Sequence, residues 1–185
     1  MQELWDRIKA TLTALNPNVT NSFNPPATNL GALETLVPTT QTDFYAWYGL
    51  ADGQDSGQSF VDHWVMLPAD EMLDRYRLMN DEVAREWKSQ GLDLEEGESV
   101  GPVKPMLWNE RWIPFAEKGM DYLCLDLNPD EGGKVGQIIH YRREPEPVEW
   151  VSESLRAFMS SVAERLEGSD VKLSRQQQIE LGWIA

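Results

Sequence analysis

From Gln2 to Leu15 the apolar residues Trp5, Ile8, Leu12 and Leu15 recur at the spacing of one helical face, and Asn16-Pro17 breaks the pattern. Residues 16–29, rich in Asn, Pro and Thr, read as a surface loop. Leu30, Leu33, Leu36 and Val37 suggest a short helix cut by Pro38. Thr40 with Asp43 three positions on resembles a capping box, predicting a third helix that carries Phe44, Trp47 and Tyr48 and ends at Gly49 or Gly53. After a polar loop over 52–59, Phe60 to Leu67 reads as a strand, with Trp64 and Met66 on one face and His63 and Val65 on the other. Pro68 followed by Asp70 and Glu71 predicts a helix start, and Met72, Tyr76, Met79, Val83 and Trp87 its buried stripe, with Gly91 at its end. Residues 92–105 are acidic and interrupted by Gly and Pro, which predicts a loop.

The richest stretch is 108–141. Trp112 to Ala116, Tyr122 to Leu127 and Val135 to Tyr141 are apolar runs separated by short Gly-bearing turns. Such short connections favour an antiparallel meander, because parallel neighbours need a crossover of about a dozen residues or more. Alternation in the middle run puts Leu123, Leu125 and Leu127 on one face and Tyr122, Cys124 and Asp126 on the other, and the leucine face is expected to meet helices. Arg142 to Pro147 alternates charge with proline and does not belong inside a sheet. Ser152 and Glu153 are expected to cap a last helix with Leu155, Phe158, Met159, Val162 and Leu166 on its inner face, ended by Gly168-Ser169. The expected organisation is one domain over 1–168 and a tail over 169–185, apolar enough to dock on it.

Composition adds three constraints. A chain of 185 residues with 41% hydrophobic content and 8 tryptophans can build a core without metal or disulfide help. A single cysteine allows no internal disulfide and suits a reducing, cytoplasmic setting. No apolar run approaches the length of a membrane span. Lys+Arg 16 against Asp+Glu 31 gives a net charge of −15, which disfavours nucleic acid and anionic lipid and favours a basic protein partner.

Two blocks carry a resemblance. Trp112-Ile113-Pro114-Phe115-Ala116, Gly119, Asp121 through Pro129, and Gly136-Gln137-Ile138-Ile139 resemble the central signature of the SUKH superfamily, whose best-known branch is the Smi/Knr family of cell-wall assembly regulators. Upstream, Leu36-Val37-Pro38, then Phe44, Tyr45, Tyr48, Gly49 and Asp52-Gly53, resemble the family's Leu-Pro, aromatic helix and Asn-Gly ending, with Asp in place of Asn. The resemblance spans roughly residues 1–166, and the chain departs from it at Asp52 and in a helical, acidic insertion around 70–105. It implies a SUKH-like α+β domain, a mostly antiparallel sheet flanked by helices, that acts by binding proteins: an immunity protein against a toxin or, alternatively, a regulatory scaffold in wall synthesis or signalling.

Chemistry is sparse. Cys124 and Asp126 share a strand face and His140 lies on the expected neighbour, so a Cys-His-Asp set can be imagined, but a lone cysteine in an apolar strand behaves as a small hydrophobe. His63, His140 and Cys124 lack metal-ligand spacing, so no metal or cofactor is expected. No phosphate loop, dinucleotide fingerprint or nucleophile elbow occurs, and a small hydrolase built on Glu110, Asp121 and Asp126 is the remaining enzymatic alternative. The expectation is a non-enzymatic domain whose partner-binding face comprises Trp108, Glu110, Trp112, Asp121, Asp126 and Tyr141, with aromatic anchors inside an acidic rim.

Overall fold

The β-branched and aromatic runs of the central stretch form strands β3 (Trp112–Lys118), β4 (Asp121–Asp126) and β5 (Gln137–Tyr141), an antiparallel meander as the short turns require. The computed structural model describes residues 1–55, 57–143, 146–168 and 178–179. The meander is extended on one side by β1 (Val65–Met66) and on the other by β6 (Val148–Ser152) and β2 (Ser99–Val100), giving the order β1-β3-β4-β5-β6-β2. All pairings are antiparallel except β2 with β6. Pro114 sits in β3 beyond the residues that β1 pairs, Ala116 and Glu117, and beside an irregularity at Phe115 where the register with β4 shifts.

One face of the sheet is covered by α1 (Gln2–Leu15), α3 (Thr42–Tyr48) and α6 (Leu155–Glu167). Ile113, Phe115, Leu123, Leu125 and Ile138 meet Ile8, Leu12, Phe44, Trp47, Met159 and Val162 there in one buried core, as the leucine alternation predicts. The other face is also covered. A helical segment made of α4 (Ala69–Arg77), a π-helical stretch (Leu78–Val83) and α5 (Ala84–Ser89) packs over it with residues 92–108. Met79, Val83 and Val103 close over Trp112, Tyr122, Cys124, Ile139 and Tyr141 in a second core. The result is an α+β domain of three layers around a single sheet.

Several boundaries differ from expectation. Asn16-Pro17 ends α1 but also starts α2 (Pro17–Asn21), since the Asn16 side chain accepts the Asn18 N–H at 3.2 Å and proline suits a first helical position. The short helix before Pro38 is a single 3₁₀ turn, Leu33–Thr35. Thr40 does not cap α3, which begins after Gln41, and Asp43 instead pairs with Arg156 of α6. The expected strand over 60–67 shrinks to β1, because Asp62 and His63 adopt left-handed backbone (φ 52° and 68°) in a turn that brings Val61 opposite Trp64. Ser154, rather than Ser152, caps α6 by accepting the Ala157 N–H at 3.1 Å. Residues 148–152 form a strand that the flanking proline loop conceals in sequence. The expected tail over 169–185 lies outside the described residues, apart from 178–179.

Candidate functional site

Directly paired residues of an antiparallel ladder project to the same face. The register Tyr122↔Tyr141, Cys124↔Ile139, Asp126↔Gln137 and Trp112↔Asp126 therefore places these side chains together on the face covered by α4 and α5. Leu123↔His140 and Lys118↔Asp121 lie on the opposite face. The candidate binding set is divided accordingly. Trp108, Trp112, Asp126 and Tyr141 converge on one side, Asp121 belongs to the other, and Glu110 stands exposed in the turn before β3.

The three aromatics of that set form a continuous cluster with Tyr122. Trp108 meets Trp112 edge-on at 5.8 Å and Tyr141 edge-on at 5.0 Å, while Tyr122 stacks on Tyr141 at 6.1 Å. All are buried, so the cluster is the floor of this face rather than its surface. Asn80, in the π-helical stretch, accepts the Trp108 indole N–H at 3.1 Å and donates to the Tyr76 carbonyl at 2.8 Å. A π turn widens the helix and re-aims a side chain, and here it turns a polar residue inward to the one polar atom that Trp108 carries.

Above this floor lie two adjoining clefts. The first, of about 1130 Å³, runs between the helical segment and the loops at 91–95, 104–111 and 128–130. Its walls carry the carboxylates of Asp81, Asp93, Glu95, Glu110 and Asp130 against the cations of Lys88, Lys104 and Arg111, and Trp108 lies at its base. None of these carboxylates forms an ion pair among the described residues, in contrast to Asp43, Asp62, Glu117, Glu149 and Glu167, each held by an arginine. The second cleft, of about 580 Å³, is mainly apolar, with Trp87, Leu92, Met106, Leu107, Tyr141 and Val148 in its walls. Leu92 and Met106 line both. The loop that separates them is pinned by Leu107 N–H to Leu94 carbonyl and Gly97 N–H to Pro105 carbonyl, each 2.9 Å. A side chain at position 97 would collide with the Met106 backbone, so glycine is needed for that approach.

Asp126 is wholly buried next to the floor. Its carboxyl accepts the Asn128 N–H at 2.9 Å and the Gln137 amide at 2.8 Å. Burial raises its pKa above the ordinary carboxylate value, and those two donors oppose the rise. The Trp112 indole also favours the ionised form, although its N–H makes no hydrogen bond of normal geometry. Asp126 thus secures a turn and offers nothing to solvent. Asp121 lies 3.5 Å from His140 on the far face, where the imidazole also meets Trp64 edge-on at 5.0 Å.

The imagined Cys-His-Asp set is not assembled. Cys124 faces α4 and α5 while His140 faces α6 through the thickness of the sheet, and burial with Asp126 nearby pushes the thiol well above its usual pKa. Glu110, Asp121 and Asp126 are likewise separated, the first exposed and the other two on opposite faces, so they form no acid/base pair. Among the described residues no group of three or more His, Cys, Asp or Glu side chains is arranged to hold a metal ion. Nor is any described helix long and apolar enough to cross a membrane.

A sequence profile for the SMI1 / KNR4 family (SUKH-1) matches residues 33–161. The chain belongs to the SMI1 / KNR4 family. No curated protein matches the chain. The matched span begins at the 3₁₀ turn and ends inside α6, so it contains the whole sheet, the α4–α5 segment and both clefts of this SUKH domain. Sequence reasoning missed Asn80, Leu92, Met106 and the acids at 93 and 95 as members of the face. Asn80 was visible as a polar residue beside Met79 in an apolar stripe, whereas the acidic loop gave no sign of which wall it would form.

Proposed function

We propose that this SUKH domain is a non-enzymatic, cytoplasmic protein-binding domain, an immunity protein that neutralises a basic toxin of nuclease type. The reading rests on the family and on one observation above all: carboxylates that form no ion pair among the described residues line an open cleft beside an apolar one. The overall charge of −15 draws a cationic partner in at long range, and the unpaired acids at 81, 93, 95, 110 and 130 give it a docking site. The same arrangement has no claim on nucleic acid, whose phosphates it would repel. Of the sequence-derived candidates, Glu110 contacts the partner directly, while Trp108, Trp112, Asp126 and Tyr141 shape the surface from beneath. Asp121, on the other face, stands outside this contact.

The test is a tagged pull-down from the native organism's lysate, washed at low and then at about 0.5 M salt, where screening reduces electrostatic reach to a few ångströms. One stoichiometric basic protein supports the reading. In the triple variant Asp93→Lys, Glu95→Lys, Glu110→Lys its association rate falls roughly tenfold or more, most strongly at low salt. An unchanged rate and affinity would remove the cleft from the interface. Several substoichiometric wall-synthesis or signalling proteins would favour the regulatory scaffold instead.

A further inference from the structure

Large apolar side chains left partly open to solvent gather at one place on the α4–α5 side of the domain. Trp87, Met106 and Leu107 are half-buried and Leu92 is 46% exposed, and all four line the cleft of about 580 Å³ together with the buried Tyr141 and Val148. A contiguous apolar patch with polar residues around it marks a contact site, as scattered single residues do not. Its loop wall is held in place before any contact is made. Leu92 N–H donates to the Trp87 carbonyl at 3.0 Å, and Leu107 and Gly97 donate to the Leu94 and Pro105 carbonyls at 2.9 Å each. Docking therefore orders little chain on this side.

Charge decides what docks. Glu96 and Glu98 stand exposed on the rim and form no ion pair among the described residues, while Arg142 is held by Glu146 and Glu149, which leaves Arg143 as the cation facing them. Across Leu92 and Met106 the adjoining cleft adds five carboxylates, which outnumber its three cations. An anionic membrane surface and a second copy of this chain, itself at −15, are both repelled by such surroundings.

We infer that the apolar cleft holds a large apolar side chain of the partner protein, carried on a segment whose neighbouring lysines or arginines enter the acidic cleft. The inference rests on the protein-binding reading above and adds the chemistry of the anchor residue. An anchor in a water-excluding pocket supplies most of the affinity of a protein interface, while the charged surroundings set rate and specificity. Met106 lines both clefts, and its unbranched side chain can adjust to the shape of the anchor.

The experiment uses the full chain and three acetylated, amidated pentapeptides, with Kd read from amide chemical shifts. Two carry phenylalanine or serine between pairs of lysines, and the third carries phenylalanine between pairs of glutamates. The phenylalanine–lysine peptide is expected to bind best, the serine–lysine peptide roughly tenfold more weakly because the buried ring is lost, and the glutamate peptide not at all. Leu92→Ser, at an exposed and therefore tolerant position, should weaken the phenylalanine–lysine peptide several-fold and leave the serine–lysine peptide unchanged. Val135→Ser, 58% exposed and lining neither cleft, should change nothing. The reversals of Asp93, Glu95 and Glu110 to lysine should weaken both lysine peptides. Equal binding of the two lysine peptides, abolished by those reversals, would overturn the anchor while leaving the acidic docking site standing. Equal binding of the two phenylalanine peptides, whatever their charge, would overturn the inference and count against the acidic site as well. A phenylalanine preference that survives Leu92→Ser in full, or no binding of any peptide, would overturn the inference, and the pull-down reports on the protein-binding reading independently.

Discussion

Gln137 donates its side-chain amide to the buried carboxylate of Asp126 at 2.8 Å and, through the same nitrogen, to the Pro102 carbonyl at 2.9 Å. Its amide oxygen accepts the Lys134 N–H at 3.2 Å, so the amide cannot rotate to exchange its ends. Asp126→Asn would aim a second NH₂ group at this fixed donor. Destabilisation of roughly 1–3 kcal/mol is expected, the cost of a buried polar pair left unsatisfied, measured as a shift in the urea midpoint at unchanged m-value. A stability equal to that of the parent would mean that Gln137 is not fixed.

Asp52 caps a helix from a distance. Its carboxylate accepts the Ala69 N–H at 2.8 Å at the start of α4, which has no capping side chain of its own. Asp52→Ala should cost about 1 kcal/mol, while Asp52→Asn, which retains an accepting oxygen, should cost only a few tenths. Thermal melts of the two variants make the comparison. Beside it, Gly53 has φ +66° and stands against the Leu67 carbonyl and Pro68 nitrogen, so Gly53→Ala should be far more damaging than either.

Stability should fall with acid on account of His140. Burial lowers its pKa, Arg142 and Lys118 act in the same sense, and Asp121 opposes them from β4. Glu149 of β6 is paired opposite His140, and Asp62 and Arg165 line the small cleft it faces. Because the folded-state pKa is depressed below the ordinary value of 6.5, the native protein binds fewer protons than the unfolded chain in the window below 6.5. The contribution is present above that value and is lost as pH falls toward the folded-state pKa. Urea midpoints at pH 7.5 and 5.5 should diverge more in the parent than in His140→Gln, and equal slopes would exclude the histidine.

Cys124 should be chemically silent in the native state. It is fully buried with its thiol pKa pushed well upward, so alkylation by iodoacetamide at neutral pH should proceed only through unfolding, at rates far below those of free cysteine. In denaturant it should label completely, as mass spectrometry can show.

The fold was largely legible because its signals are local. The period of 3.6 in Trp5, Ile8 and Leu12 locates α1, the alternation of Leu123 and Leu125 against Tyr122 and Cys124 assigns both faces of β4, and the short turns dictate the meander. Even the separation of Asp121 from Asp126 was present in the chain, since five positions apart on a strand means opposite faces. The edge strands were not legible. Two residues at 65–66 and two at 99–100 carry too little pattern, and β2 is defined only by its distant parallel neighbour at 148–149.

The candidate site was legible in its composition and not in its geometry. Sequence determined that acids exceed bases by a wide margin, and that Trp108, Trp112, Tyr122 and Tyr141 fall within one stretch of strands that belongs to one sheet. Tertiary structure decided that Trp108, Trp112 and Tyr141 lie beneath α4 and α5, and that His140 faces away from Cys124. It also set Leu92, Met106, Glu95 and Glu110 around adjoining clefts. Periodicity reports which side of its own element a residue occupies, and charge reports what the whole surface attracts. Which elements then cover that side, and which acids are left without partners, depends on contacts between segments far apart in the chain, and these exist only once the sheet register and the helix over it are fixed.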